Sequence, residues 1–565
     1  MLSKVAEGAA EAAAIKDSSI VAISGFNLAT APEHLILQLF DSYTKTGHPC
    51  NLFIISDALP AMPGRALDFV AEKLYADPNQ NFMRGMLMPF LGFSPWLQKM
   101  VTDNRIESYG WPLGIAAYWF REVASGRPGL ITKIGLETFL DPRQDGAALN
   151  DKASKSISRE GPANLSGHHA QSCRVSLINI EGEEFLLYRA PKPDYALIRA
   201  SVADENGNLS MRDEGIRGTT LSIAQAAKAR PNSGRVIAQV RWLTQAGSID
   251  PWDVDVPGPI VDSVVVSPKQ HHWQGGSIEY DPRISYSVLP PITDALVRDI
   301  SSGGTPPADY EKVIARRVLL ELVKVLEDKG KPVLVNLGIG IPAFVSAVAA
   351  EEHVTEFIIT VLESGPWGGL ALSGPDFGLA MSPFALSTIP DMFSNFEGGI
   401  IDAASLGFLQ IDRFGNVNPS MLPNRAFGPG GFPVIAGGAP KTYFAGAFTG
   451  GQSKITVAAG KELRIEQDGN IRKFVESVYK IVFSGHQAVK FGKEILYVTE
   501  RAVFGLGRDG ISLLEFAPGI DVDKDILQKM DFAPVRDSRA IEMDKRLFKQ
   551  EKTNIREEVL RTIRA

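Results

Sequence analysis

Phe357-Ile358-Ile359-Thr360-Val361-Leu362 runs directly into Glu363-Ser364-Gly365-Pro366-Trp367-Gly368-Gly369. The first six residues, mostly β-branched or aromatic, predict a strand, and the glycines and proline after them end it. Working outward, runs of the same kind occur at residues 20–23, 52–55, 195–199, 236–240 and 333–335, with helical stretches between them. Alternation of this sort implies parallel sheets covered by helices. At 565 residues the chain exceeds an ordinary domain of ~100–200 residues, so two or more lobes, each with its own core, are expected. Ser301-Ser302-Gly303-Gly304 and Pro306-Pro307 mark a break, and an amphipathic helix is predicted over 311–327. The expected fold is therefore α/β, with two tandem lobes over 1–298 and 299–565, each an open, mostly parallel sheet covered by helices.

The lobes echo each other. Each opens with a strand, a Gly-containing turn and a proline that starts a helix, at 21–32 and 333–342. Each later carries Asp-x-x-Gly-Asn after an apolar strand, at 204–208 and 412–416, a spacing suited to a hairpin turn in which glycine takes a positive φ. One such pentapeptide arises by chance; two copies with matching openings point to duplication.

Composition narrows the class. The chain is 44% hydrophobic and 22% charged, with 58 basic and 65 acidic side chains and a net charge of −7, which does not suit a nucleic-acid binder. Two cysteines, Cys50 and Cys173, make neither a disulfide framework nor a four-ligand zinc site, so a reducing compartment is expected. Glu7 and Glu11 interrupt the N-terminal alanines where a signal peptide would be apolar. No apolar run reaches the ~20 residues that span a bilayer, so a cytoplasmic protein without a membrane partner is expected. His168-His169 followed by Cys173 matches no standard zinc spacing and reads as loop, so no metal is expected. The 544–564 segment reads as a solvated helix with one apolar stripe.

Three stretches carry chemistry. Glu363 falls at the carboxyl end of a strand, the rim where open α/β sheets place ligands; the alternative is a glutamate that caps a helix or pairs with a surface cation. Phe427-Gly428-Pro429-Gly430-Gly431-Phe432 presents backbone N–H groups either to an oxyanion or simply within a tight turn. Asn336-Leu337-Gly338-Ile339-Gly340-Ile341-Pro342 precedes an Ala-rich helix whose N-terminus suits a phosphate-bearing ligand, although Ala343 stands where a dinucleotide fingerprint has its third glycine.

In this order, these stretches resemble the family I coenzyme A transferases, specifically the single-chain acetate/propionate type with both lobes fused. Further matching pieces are Ser24-Gly25-Phe26, Asp141-Pro142-Arg143-Gln144, His272-Trp273-Gln274, Gly374-Pro375-Asp376-Phe377-Gly378, Leu406-Gly407 and Ala517-Pro518-Gly519-Ile520-Asp521. The resemblance implies a ping-pong transfer of coenzyme A (CoA) between an acyl-CoA and a free carboxylic acid. Glu363 attacks the thioester to give an acyl-glutamyl anhydride, and the CoA thiolate then forms a glutamyl-CoA thioester that a second acid opens. A carboxylate ionised at pH 7 needs no general base for this. The resemblance also implies that the Gly430 and Gly431 amides hold the oxyanion, and that Asn336, Gly338, Ile339, Gly340, Ile341, Pro342 and Gly407 meet CoA. Gly25, Phe26, Asn27, Met86, Tyr109, Leu113 and Trp367 would surround the substrate. CoA serves as a substrate rather than a resident cofactor, and a homo-oligomer, dimer or tetramer, is the family's habit.

Two departures bear on the substrate. Leu113, in Tyr109-Gly110-Trp111-Pro112-Leu113-Gly114, stands where the family usually has a glutamine. Residues 83–93 carry methionines and phenylalanines where relatives tend to have Gly-His-Trp-Gly, which is either core packing or an acyl pocket reshaped for a bulkier, more apolar acid. Leu113 leaves an acyl-CoA hydrolase or lyase on the same fold as one alternative, and a non-catalytic acyl-CoA binding protein as another.

Overall fold

A computed structural model describes residues 3–159, 173–231, 233–286, 309–458, 460–535 and 540–564. The lobe boundary at 298/299 and the His168-His169 pair lie outside the described residues. The strands of the main N-terminal sheet are β1 (Ile20–Ile23), β2 (Leu52–Ile55), β3 (Met83–Leu87), β4 (Glu107–Tyr109), β5 (Tyr195–Asp204), β6 (Leu209–Ser210), β7 (Arg235–Thr244) and β8 (Ser263–Val266). They form one sheet in the order β8-β7-β5-β1-β2-β3-β4, parallel throughout, with β6 folded back antiparallel on β5. All four residues of β1 and of β2 are buried, because helices cover both faces of a parallel sheet.

Among the C-terminal strands are β9 (Val333–Leu337), β10 (Ile358–Thr360), β11 (Ala403–Leu406), β12 (Gln410–Asp412), β13 (Val417–Asn418), β14 (Lys441–Ala445), β15 (Glu494–Val498), β16 (Ala502–Gly507), β17 (Gly510–Phe516) and β18 (Ile541–Glu542). The main sheet runs β10-β9-β11-β14-β15-β16-β17-β18, parallel from β10 to β15, with β16 and β17 antiparallel. The same core order underlies both sheets: the second strand flanks the first on one side, and three later parallel strands follow on the other, β5, β7 and β8 in the N-terminal sheet and β11, β14 and β15 in the C-terminal one. β3 and β4 extend the N-terminal sheet beyond β2.

The duplicated pentapeptide repeats atom for atom. The Asn208 amide donates to Asp204 Oδ1 at 2.9 Å and its side chain to Oδ2 at 2.9 Å; the Asn416–Asp412 counterparts measure 3.1 and 3.0 Å. Asn208 Oδ1 accepts from the Gly258 amide at 2.8 Å, and Asn416 Oδ1 from the Gly485 amide at 3.0 Å. Gly207 and Gly415 take φ of 85° and 76°.

The helices that matter below are α1 (Glu33–Thr46), α2 (Pro95–Thr102), α3 (Leu113–Ala124), α4 (Thr220–Lys228), α5 (Tyr310–Lys329), α6 (Phe344–Glu351), α7 (Ile389–Glu397), α8 (Phe432–Gly438) and α9 (Ile555–Arg564). α5 starts on the side chain of Asp309, which accepts from the Glu311 and Lys312 amides, and stops at Gly330 with φ 65°. It is buried around most of its surface rather than amphipathic, because Arg317 is neutralised by Glu321 and Glu515, each at 2.6 Å. At the C-terminus the expected helix over 544–564 begins only at Ile555, because Asp544 caps a separate 3₁₀ turn and Asn554 has φ 62°. Among the described residues, no helix is long and apolar enough to cross a membrane.

Each lobe has its own apolar cluster, but the largest cluster belongs to both. It joins Trp111, Trp119 and Phe120 to Phe393, Phe396 and Phe432. The lobes meet so closely that a Cβ on Gly114 of α3 would lie 2.4 Å from the Phe393 ring on α7. Separate cores were expected from length; a shared one results because α3 carries apolar residues around nearly its whole circumference.

Candidate active site

The carboxyl ends of the strands in both sheets open onto one cavity of about 550 Å3. From the N-terminal lobe come Phe26 and Asn27 after β1, and Ala58 and Leu59 after β2. The C-terminal lobe supplies residues 336–342 from the end of β9 onward, Glu363 after β10, 406–409 from the end of β11 and 445–447 from the end of β14. The cavity thus lies at the topological switch of the second sheet, between β9 and β11.

Glu363 sits in a tight turn closed by Leu362 N–H to Pro366 O at 2.9 Å and Gly365 N–H to Leu362 O at 3.0 Å. Gly365 has φ 130°, and a Cβ there would come within 2.2 Å of the Ser387 carbonyl, whose own amide donates to Gly365 O at 2.9 Å. The Asn336 side chain donates to Val361 O at 2.9 Å, tying the end of β9 to the run into Glu363. Ser364 Oγ donates to the Gly378 carbonyl. The backbone under the glutamate is therefore fixed on several sides.

The side chain itself is left free. Glu363 is half-buried on the cavity wall and makes no hydrogen bond or ion pair to a described residue. Burial pushes its carboxyl up to about 7, so the unliganded protein holds a mixture of acid and carboxylate at neutral pH rather than the full ionisation expected. Its Oε2 lies against the backbone of Gly431, where a Cβ would stand 1.9 Å away.

The Gly-rich loop is stitched to the N-terminal lobe. Leu91 N–H donates to Phe427 O at 2.8 Å, Gly430 N–H to Pro89 O at 2.8 Å, and Leu113 N–H to Gly430 O at 2.9 Å. This corrects half of the expected oxyanion pair: the Gly430 amide is committed to Pro89, whereas the Gly431 amide finds no acceptor among the described residues.

Of the residues expected to meet CoA, Asn336, Gly338, Ile339, Gly340, Ile341, Pro342 and Gly407 all line the cavity, as do Phe26, Asn27, Leu113, Gly430 and Gly431. Four expected pocket residues do not. Met86 is fully buried in the N-terminal cluster beside Met83, Met88 and Met100, so the methionines of 83–93 are packing. From the same segment Phe90, Gly92 and Phe93 do face the cavity, with Phe90 edge-on to Phe93 at 5.6 Å and to Phe427 at 6.4 Å. Tyr109 is fully buried against Phe53, 6.2 Å between rings. Trp367 is held in the 366–367/385–386 hairpin with its Nε1 donating to Ser387 Oγ at 2.9 Å. Gly25 lies behind the turn, where a Cβ would strike Ala31 at 2.8 Å, and it sets Phe26 and Asn27 in place.

Sequence reading passed over three charged residues on the wall. Arg425 lies 3.9 Å over the Phe427 ring, Glu311 lies in the first turn of α5, and Lys473 lies 5.1 Å from the centre of the Phe408 ring. None belongs to a motif; only the fold assembles them. Burial pushes the Lys473 ammonium and the Arg425 guanidinium down and the Glu311 carboxyl up. Asp17, His48 and Cys50 bring three potential metal-ligand atoms within 4.8 Å of one another. They lie at the amino ends of β1 and β2, on the rim opposite the cavity.

A profile of the coenzyme A transferase family matches residues 6–267. A caffeate CoA-transferase of Acetobacterium woodii is 35% identical over 543 residues, 95% of each chain. The acetate CoA-transferase YdiF of Escherichia coli O157:H7 is 34% identical over 515 residues, 91% of this chain and 89% of that one. The crystal structure of that organism's acyl-CoA transferase YdiF, described as a thioester complex with CoA, superimposes with a TM-score of 0.83 at 31% identity, covering 98% of this chain and 97% of that one. Matched end to end by single-chain enzymes of one kind, with the same two-lobed fold around the cavity, this chain belongs to the coenzyme A transferase family and is a CoA-transferase.

Proposed function

We propose that the chain moves CoA between an acyl-CoA and a free carboxylic acid in two half-reactions carried by Glu363. The observation that supports this most directly is the unpaired Glu363 carboxyl, fixed from below and pressed against the Gly431 backbone on an apolar cavity wall. Glu363 attacks the thioester carbonyl, the C–S bond breaks, and CoA leaves as a thiolate with an acyl-glutamyl anhydride behind it. The thiolate attacks the glutamyl carbonyl of the anhydride, expelling the first acid as a carboxylate and leaving glutamyl-CoA. A second carboxylate repeats the sequence in reverse and leaves as its acyl-CoA. Each half-reaction exchanges one acyl bond for another, so the protein's task is orientation and exclusion of water. The Gly431 amide is the donor placed to receive negative charge on the glutamyl carbonyl. Phe90, Phe93, Phe427 and Leu113 form a wall suited to an acid larger and more apolar than acetate, in keeping with the relative named a caffeate CoA-transferase.

Borohydride treatment after incubation with acyl-CoA should reduce Glu363 to the alcohol in the wild type, with Glu363→Gln inert in exchange. An unmodified Glu363 peptide in a protein that still exchanges CoA would end this reading. An acid panel read by mass spectrometry tests the substrate class, with arylpropenoates expected ahead of acetate in kcat/KM.

A further inference from the structure

Lys473 is one of three charged groups of the cavity, with Glu311 and Arg425, that the chemistry at Glu363 leaves without a role. It is half-buried, lines the cavity, and its ammonium has no hydrogen bond or ion pair to a described residue. The acid whose field reaches it, Glu500, is already committed to Arg501 Nε at 2.8 Å and the Phe448 amide at 2.8 Å. The backbone holds the lysine in place, its carbonyl accepting from the Ile411 amide at 2.8 Å, and a Cβ on Gly450 would lie 3.5 Å from its Cε. A desolvated ammonium that has a ring face at 5.1 Å but no hydrogen bond or ion pair among the described residues costs free energy that a bound anion offsets.

The sheet sets its distance from the nucleophile. Glu363 follows β10, at one edge, while Phe408, whose ring centre lies 5.1 Å from the Lys473 ammonium, follows β11, and Gly446 and Ala447 of the same cavity wall follow β14. Those strands stand two and three places away, about 10–14 Å at ~4.8 Å per strand. Between the two ends lies the rim built from residues 338–342 and 406–408. The pantetheine arm of CoA runs about thirteen bonds from sulfur to diphosphate, roughly 15 Å when extended at the reach per bond of a stretched chain. The arm of a thioester held at Glu363 is therefore long enough to carry its phosphates to the Lys473 end.

We propose that Lys473 anchors a phosphate of CoA, and that it sets how far along the rim the thioester reaches toward Glu363. The inference rests on the Glu363 reading for the position of the sulfur, but binding tests it without turnover. Calorimetry should compare CoA, dephospho-CoA and pantetheine on the wild type, Lys473→Gln and Lys473→Arg. Loss of one charge-assisted contact should raise the Kd of Lys473→Gln for CoA about 10- to 100-fold, and Lys473→Arg should recover most of it. Pantetheine should bind both variants and the wild type alike. If dephospho-CoA shows the same loss as CoA, the diphosphate is the partner; if the loss vanishes with dephospho-CoA, it is the 3′-phosphate. In turnover, KM for acyl-CoA should rise while KM for the free acid stays put. An unchanged Kd for CoA, or an equal loss for pantetheine, overturns the proposal. Glu363→Gln should keep full CoA affinity, so failure of the covalent chemistry and failure of the anchor are read separately.

Discussion

Glu363→Gln should make the protein more stable as well as inactive, and by an amount that depends on pH. In the unfolded chain the carboxyl titrates at its ordinary 4.5, whereas burial in the folded protein pushes it up to about 7. Below 4.5 both states carry the proton and Glu363 contributes no difference. Between 4.5 and about 7 the unfolded chain gives it up first, so the wild type loses stability as pH rises; above that window the loss levels off. Moving a carboxyl from 4.5 to about 7 is worth about 3 kcal/mol, at ~1.4 kcal/mol for each tenfold change in proton affinity. Water in the open cavity reduces this toward about 2 kcal/mol. Glutamine is neutral and nearly isosteric, so it escapes the penalty. Other groups shifted by burial, such as Asp57 at about 6, are common to both proteins and cancel in the comparison. Melting curves of wild type and variant at about pH 5 and pH 8.5 should show the gap widening by roughly 2 kcal/mol in the variant's favour. The same ionisation governs the first half-reaction: single-turnover thiolate release should climb about tenfold per pH unit below 7 and flatten above it. A gap that does not change with pH, or a flat rate profile, would refute the assignment of a desolvated, unpaired Glu363.

Gly431→Ala puts a methyl group where Glu363 Oε2 now lies, 1.9 Å from the new carbon, so half-reaction rates should fall at least 10²-fold while far-ultraviolet circular dichroism is unchanged. Phe90→Ala opens the wall beside Gly430 and should lower kcat/KM for aryl acids more than for acetate in direct competition. Glu214→Ala strands the buried Arg199 that it now holds at 2.9 Å, which should cost about 3–5 kcal/mol in urea unfolding with no selective effect on KM.

Much of this was legible in the chain because it was carried by short-range pattern. The β-branched runs became the strands of two sheets, and the two Asp-x-x-Gly-Asn copies became the same hairpin. Residues within one turn of a strand end, from Asn336 to Pro342 and Glu363, reached the cavity because a parallel sheet delivers them there. What pattern could not resolve was direction and partnership. Residues 83–93 show no signal that sends Met86 into the core and Phe90 to the cavity; that division depends on where β3 ends and the chain turns toward the Gly-rich loop. The commitment of the Gly430 amide depends on Pro89, more than 300 residues earlier. Lys473 and Arg425 gain meaning only from their place on the cavity wall without an ion pair to a described residue, a property of three dimensions.

The likeness of the two sheets offers a reason why, on the proposed mechanism, one acid and not another would suit the chemistry. Asp57 follows β2 in the first lobe much as Glu363 follows β10 in the second, and burial raises both carboxyls. Asp57 is closed in: it is 1% exposed and accepts a hydrogen bond from Thr219 Oγ, while its neighbours Ala58 and Leu59 take the place on the cavity wall. Glu363 is longer and turns outward from a strap of backbone hydrogen bonds, with glycine, not a side chain, in front of it. Position at a strand end is thus shared by the two halves, and access to the cavity is what separates them. An Asp57→Asn variant should accordingly keep its exchange activity, whereas the equivalent change at Glu363 should remove it.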